Sequence, residues 1–227
     1  MGVAERLAQP APPASPAGAP VRPRTRGEER LTRLVDLSGA CALLLLALPL
    51  LLLGILAVLL FSGRPVFYGH PRVGRGGREF RCWKLRTMET RAEERLRVDA
   101  TLARRYRENG YKLPADPRAT VPGRVLRRLY LDEIPQLFNV VAGDMSLVGP
   151  RPVIQEELAE YGASVSELLS LRPGIFGAWN SMGRNRPGYP ERARVELEYV
   201  RSRTVLRDLG ILARSLPVVL KGFPEDV

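Results

Sequence analysis

From Leu37 to Gly63 the chain carries no charged side chain. Few folds of 227 residues can hide such a run. As an α-helix it would be about 40 Å long, more than the ~30 Å hydrocarbon core of a bilayer. A soluble helix that is Leu-rich all round needs apolar neighbours on every side, and a domain of this size has few to spare. The expected solution is a membrane helix. Pro49 interrupts the run near its middle, where it removes a backbone hydrogen bond and favours a kink. Both flanks are basic. Arg22, Arg24, Arg26, Arg30 and Arg33 precede the run, while Arg64, Arg72, Arg75, Arg78 and Arg81 follow it. Positive residues favour the cytoplasmic side. A helix that enters, breaks at Leu48-Pro49 and returns to the same face satisfies that rule at both ends. An ordinary single span with an uninformative proline satisfies it at one, and charge alone does not choose between them.

The formal net charge is +11 and the pI is near 10.4. A surplus of that size implies an anionic partner: nucleic acid, an anionic membrane surface or a phosphorylated substrate. The aromatic residues are not interleaved with the basic ones as a single-strand platform requires, so nucleic acid is not expected. His70 is the sole histidine, and Cys41 and Cys82 are the only cysteines. These cannot build a Cys/His zinc site. A Ser-His-Asp triad would have to use His70, without a Gly-x-Ser-x-Gly elbow. Both thiols are expected to be reduced and buried. By elimination, an acid, base or nucleophile should be an Asp or Glu, with or without a divalent metal.

The expected fold is α+β and mostly helical, in three parts. Residues 1–27, rich in Pro and Ala, read as a disordered tail rather than a signal peptide. Residues 28–63 hold the membrane helix, and residues 64–227 form a cytosolic catalytic domain. Within that domain Pro65–Tyr68 and Glu79–Leu85 read as strands. The turn Gly74-Arg75-Gly76-Gly77 lacks the spacing of a dinucleotide or Walker loop, so it reads as a hairpin turn. Residues 89–110 predict a solvated helix, and Arg124–Tyr130 a short basic one. Another starts near Asp132, where Ile134, Leu137, Phe138 and Val141 fall at helical spacing and predict a core-facing stripe. The 156–170 region predicts a helix. Pro190–Leu220 predicts an amphipathic helical region with a break near Pro217.

Asp132 and Glu133 are two adjacent carboxylates at the start of an apolar-faced helix, with arginines just before them. In isolation, an Asp at a helix start is an N-cap. Here Arg127 and Arg128 lie about one turn upstream, and Arg151 stands between Pro150 and Pro152. Fixed arginines facing a helix start make a phosphate clamp, although Arg128 could equally pair with Asp132 at i, i+4. A carboxylate held ionised by such cations could attack phosphorus directly, with the arginines and magnesium neutralising the charge that develops. Glu133 could ligate the metal or take a proton.

Several motifs occur in order: Arg64-Pro65-Val66-Phe67-Tyr68, Lys84-Leu85-Arg86-Thr87-Met88, Asp116-Pro117-Arg118, the stretch Leu131–Val140, the stretch Gly143–Pro152, Arg172-Pro173-Gly174-Ile175 and Gly183-Arg184. From about Arg33 to Leu220 the chain resembles the bacterial sugar transferases, the monotopic polyprenyl-phosphate phosphoglycosyl transferases. The resemblance implies a re-entrant helix broken at Pro49. It implies Asp132 as nucleophile with Glu133 beside it, and magnesium as cofactor, held tentatively by this dyad. The implied substrates are a nucleoside diphosphate sugar and polyprenyl phosphate, typically undecaprenyl phosphate. Arg127, Arg151, Lys84 and Arg184 match positions expected near substrate phosphates. Arg33 and Asp36 match a charged pair where the chain enters the bacterial inner membrane. Long members carry extra N-terminal spans, so this chain resembles the minimal catalytic form. Two departures, Phe176 in place of a small polar residue and Asn180 in place of Gln, leave the donor open. So does the sequence as a whole: sugar, base, glycan pathway and oligomeric state are unread. The alternative to an enzyme is a non-catalytic basic scaffold of a glycan assembly complex.

Overall fold

A computed structural model describes residues 25–111, 113, 115–179, 182 and 188–221, with side chains described as far as Ser215. The expected tail up to residue 24 lies outside them, as do Arg184 and Asn180. The described chain is mostly helical, with two two-stranded sheets and one long apolar helix near its start.

That helix, α1, spans Arg26–Phe61. It is the one described helix long and apolar enough to cross a membrane. Thr25 opens it: its hydroxyl accepts from the Glu28 N–H at 3.2 Å, and the Glu28 carboxylate accepts from the Thr25 N–H at 2.9 Å. This reciprocal arrangement satisfies backbone donors that the first turn leaves free. Pro49 lies inside the helix. Only Asp36, Ala40, Leu51, Gly54 and Val58 are buried along it, whereas Leu45 and Leu46 are 76% and 78% exposed. The buried positions fall in two groups. Ala40 joins Leu137, Val140 and Leu147 in one core cluster; Leu51 and Val58 join Leu85 and Leu126 in another. Both ends of α1 therefore dock on the same folded body, and the apolar middle is left uncovered. Each buried aliphatic side chain at these contacts contributes roughly 1.5–3 kcal/mol.

A β-hairpin follows. Strand β1 (Phe67–Val73) pairs antiparallel with β2 (Glu79–Leu85), with Tyr68 opposite Lys84 and His70 opposite Cys82. The turn between them is the expected Gly74-Arg75-Gly76-Gly77, with Gly76 at φ 69° and Gly77 at φ 80°. Side chains alternate across a strand, so Tyr68, His70, Arg72, Cys82 and Lys84 share one face. The single helix expected over residues 89–110 is two, α2 (Ala92–Val98) and α3 (Ala100–Glu108). Asp99 divides them, its carboxylate accepting from the Leu102 N–H at 2.9 Å as the N-cap of α3. The Asp116-Pro117-Arg118 motif is a staple. Arg118 grips Asp116 through Nε–Oδ1 at 2.9 Å and Nη2–Oδ2 at 2.7 Å, and both residues are buried.

Helix α4 (Val121–Arg128) leads to a 3-10 turn at Leu131–Glu133 and then to α5 (Gln136–Ala142). The stripe expected on α5 is corrected here. Leu137 and Val140 face the core, but Phe138 and Val141 are 49% and 37% exposed. Val121, Val125 and Leu129, from α4 and its end, are exposed too. Strand β3 (Ser146–Val148) pairs parallel with β4 (Gly174–Phe176). Between them lies mainly 3-10 helix, Gln155–Ser164, broken at Gly162, then one α-helical turn, α6 (Val165–Leu168). The C-terminal region forms α7 (Glu191–Ser202) and α8 (Val205–Lys221). Its break falls at Arg203-Thr204 rather than near Pro217. Arg203 is extended and donates to Val148 O at 3.1 Å, while Thr204 accepts from the Arg207 N–H and restarts the helix. Cys82 is buried as expected, but Cys41 is exposed, because its position on α1 faces away from the folded body.

Gly123 lets α4 lie against the end of the hairpin. A Cβ there would stand 2.0 Å from the Thr87 carbonyl oxygen. Gly123→Ala is expected to force α4 outward and to destabilise the protein by about 1–3 kcal/mol, read as a lower melting temperature in detergent.

Candidate active site

The five residues after Trp83 each hold a different part of the molecule. Lys84 Nζ meets Glu133 Oε1 at 2.6 Å. Leu85 enters the core with Leu51 and Val58. Arg86 donates to the carbonyls of Ser62 and Gly63, at the C-terminal end of α1. The Thr87 hydroxyl accepts from Arg127 Nε at 2.9 Å, and Met88 bridges to Ala119. One extended segment thus links the end of α1 to a lysine and an arginine that both act electrostatically on Asp132.

Asp132 is only 5% exposed, in the 3-10 turn ahead of α5 rather than at the N-cap, which is Pro135. It is therefore not a capping residue. Burial pushes its carboxyl up, to about 6, and Glu133 adds to the rise; Lys84 and Arg127 oppose it. The lysine responds in kind. Burial pulls its ammonium down, yet Glu133 and Asp132 outweigh this and hold it above its ordinary value. The carboxylate is mostly ionised at neutral pH and poorly solvated, the state expected of a nucleophile in a water-poor site. Arg128, the other arginine of the expected clamp, is exposed, and among the described residues no ion pair joins it to Asp132. The i, i+4 alternative is thereby removed.

Asn139 fixes the height of α5 against the hairpin. Its buried side chain accepts from the Trp83 N–H at 3.0 Å and donates to the Arg81 carbonyl at 2.7 Å, extending the strand edge. At the far end of α5, Arg33 donates to the carbonyls of Val140 and Val141 at 2.6 and 2.7 Å. A guanidinium on the last carbonyls complements the helix terminus. Asp36 accepts from Ser146 Oγ at 2.9 Å and from the Leu147 N–H at 2.8 Å. Arg33 and Asp36 thus clamp α1 to the folded body rather than pairing with each other.

Arg151 reaches the site through a crossing of two chain segments. Gly149 and Gly174 pass so closely that a Cβ on Gly174 would lie 2.0 Å from the Gly149 nitrogen, and one on Gly149 would lie 2.4 Å from the Arg172 carbonyl. Only glycine permits this approach, which explains Val-Gly-Pro-Arg-Pro and Arg-Pro-Gly as one structural unit. Arg151 lies within electrostatic range of Glu133 and of Glu157. Glu157 in turn meets Arg72 and Arg192, both at 3.3 Å. Arg72, Glu157, Trp179, Arg192 and Glu196 were not anticipated as site residues. Arg192 and Glu196 lie in a stretch whose amphipathic pattern hides their burial.

Among the described residues no three Asp, Glu, His or Cys side chains gather as a metal site. Asp132 and Glu133 do match magnesium's usual demand for one or two carboxylates, completed by water and substrate phosphates.

Residues 27–222 match the profile of the bacterial sugar transferase family. A UDP-galactose-lipid carrier transferase of Erwinia amylovora is 44% identical over 195 residues, which is 84% of this chain and 40% of the relative. An undecaprenyl-phosphate galactose phosphotransferase of Salmonella typhimurium is 40% identical over 199 residues, 86% of this chain and 42% of the relative. An exopolysaccharide production protein of Rhizobium meliloti is 43% identical over 192 residues, 82% of this chain and 84% of the relative. The chain spans about two fifths of the length of the first two and most of the third. The profile runs from the first turn of α1 through the hairpin, the Asp132-Glu133 turn and the glycine crossing to the end of α8, and the chain belongs to the bacterial sugar transferase family.

Proposed function

We propose that the chain transfers a sugar phosphate from a nucleoside diphosphate sugar to undecaprenyl phosphate through an aspartyl-phosphosugar on Asp132, a first step of exopolysaccharide or other surface glycan synthesis. The observation that carries this reading is Asp132 itself, a buried carboxylate within the electrostatic reach of Lys84 and Arg127 and pushed up to about 6. Relatives named for UDP-galactose, undecaprenyl phosphate and exopolysaccharide support a UDP-sugar donor, the lipid acceptor and the pathway class.

In the first step an Asp132 oxygen attacks the phosphorus bonded to the sugar. The bond from that phosphorus to the bridging oxygen breaks, and nucleoside monophosphate leaves with the electron pair. Lys84, steered by Glu133, and Arg127, steered by Thr87, meet the phosphoryl oxygens as charge builds on them. In the second step a phosphate oxygen of the lipid attacks the same phosphorus and frees the Asp132 carboxylate. A magnesium ion held by Asp132 and Glu133 would supply further charge neutralisation to the substrate phosphates.

The membrane reading is a re-entrant α1, with the catalytic domain on the cytoplasmic face of the inner membrane. Docking of both ends of α1 on one body supports it, because a straight span would carry one end away. The exposed apolar residues of α4 and α5, interleaved with Arg124 and Arg128, suit the boundary between lipid and water.

The test is release of nucleoside monophosphate by the full chain in detergent, with a panel of nucleoside diphosphate sugars, undecaprenyl phosphate and magnesium. Asp132→Asn is expected to lower release at least a thousandfold and to abolish transfer of labelled phosphosugar to the protein. Absence of release from every donor would favour the scaffold reading. The acid limb of kcat/KM should fall near pH 6, and Lys84→Met should move it upward, because the lysine opposes the rise of Asp132. The folded state holds this carboxyl above its ordinary value, so ionising it costs stability as pH rises from 3.8 through about 6. At pH 8 Asp132→Asn is therefore expected to be more stable than the parent by roughly 1–3 kcal/mol, read from thermal or denaturant melting.

A further inference from the structure

Beyond the Asp132 turn, unpartnered polar atoms collect at one place. Arg151 Nε, Arg192 Nε, Arg192 Nη2 and Glu196 Oε1 are buried, and none has a hydrogen-bond partner among the described residues. Arg192 is 4% exposed and Glu196 fully buried. They stand four residues apart on α7, where an arginine and a glutamate ordinarily pair across one turn. They do not pair. Arg192 Nη1 instead donates to Glu157 Oε1 at 3.3 Å, and its guanidinium lies 4.7 Å from the ring centres of both Trp179 and Tyr189. Arg151 packs on the same Trp179, 5.5 Å from its ring centre.

Charge is unbalanced here. Three guanidiniums, from Arg72, Arg151 and Arg192, act on the Glu157 carboxylate, and two of them, Arg151 and Arg192, act on Glu196 as well. Glu157 is already engaged, with Arg72, Arg192 and the Ile154 N–H. Burial pushes the Glu196 carboxyl up, to about 7, against the pull of Arg192, the Arg151 N–H and the Arg151 charge, with Glu157 adding to the rise. Tyr161 also faces it. Buried guanidinium donors without acceptors, beside an excess of positive charge, are the complement of an oxyanion.

We propose that Arg151 and Arg192, packed against Trp179, form a second anion subsite that takes the phosphate leaving with the nucleotide, while Lys84 and Arg127 hold the phosphoryl group that is transferred. This rests on the reading of Asp132 given above. Arg151 is the hinge between the two places, since it senses Glu133 on one side and Glu157 and Glu196 on the other. Arg192 meets Glu157, whereas Lys84 meets Glu133, so the two cations serve different carboxylates.

The subsite can be tested without turnover, by equilibrium binding of uridine monophosphate, and separately of inorganic phosphate, to the full chain in detergent. Arg192→Gln is expected to weaken uridine monophosphate at least tenfold, and Arg192→Lys to retain more of the affinity. Glu196→Gln should bind uridine monophosphate more tightly than the parent at pH 8, and the two should converge at pH 6, where Glu196 is protonated. If Arg192→Gln unfolds, Arg192→Lys and Glu196→Gln carry the comparison. Unchanged affinity in the folded Arg192 variants, or no difference between Glu196→Gln and parent at pH 8, would overturn the proposal. Failure of transfer with these shifts intact would instead count against the Asp132 reading alone. Inorganic phosphate that ignores Arg192, while the nucleotide responds, would also overturn it, because the arginines would then be reading the nucleoside.

Discussion

Arg33, Asp36 and Arg86 fasten α1 to the folded body at both of its ends, through five hydrogen bonds to backbone groups and one to a serine hydroxyl. An all-apolar helix has no other means of choosing one rotation and one depth against a protein surface. Leucine packs tolerably in many registers, whereas a guanidinium aimed at two successive carbonyls accepts one. Asp36 in particular is buried on a helix whose neighbours are nearly all aliphatic, and its hydrogen bonds tie α1 to β3. The position of α5, and with it the turn that presents Asp132, follows from this attachment.

The electrostatics of the site depend on shortage. Asp132 has two cations nearby and too little water, and Glu133 occupies one of the cations at 2.6 Å. A fully paired Asp132 would be a stable structural carboxylate with little tendency to attack. A fully isolated one would be protonated. The arrangement lies between these, and on the proposed reading it would leave the carboxylate available to a phosphorus that brings its own counter-charge demands. Stability is sacrificed at that point, as is common where chemistry is done.

Much of this was legible in sequence. The charge-free run and the Gly-rich hairpin turn are local patterns, and each became the element its pattern predicts. What failed were statements about which side a residue faces. Phe138 and Val141 obey helical spacing, yet point outward, because periodicity reports where an apolar stripe lies and not what covers it. Next to a long, largely uncovered apolar helix, two apolar surroundings compete for the same residues. Arg128 and Arg127 are neighbours in sequence, and only Arg127 turns toward Thr87. Arg192 and Glu196 resemble an ordinary surface pair on an amphipathic helix, and their burial is set by Trp179 and Tyr189 arriving from elsewhere in the chain. Tertiary contacts made these choices, and no window of sequence contains them.

The segment Lys84-Leu85-Arg86 has a geometric consequence. An extended strand advances about 3.3 Å per residue. The side chain that meets Glu133 and the one that grips the end of α1 are two residues apart, or roughly 7 Å along the backbone. On the proposed membrane reading, this works as a depth gauge. Asp132 would then be held at a set height near the lipid surface, close to where a phosphate headgroup lies. A long-chain acceptor could then meet the enzyme by drifting sideways within its own leaflet, and its tail would never have to leave the oil.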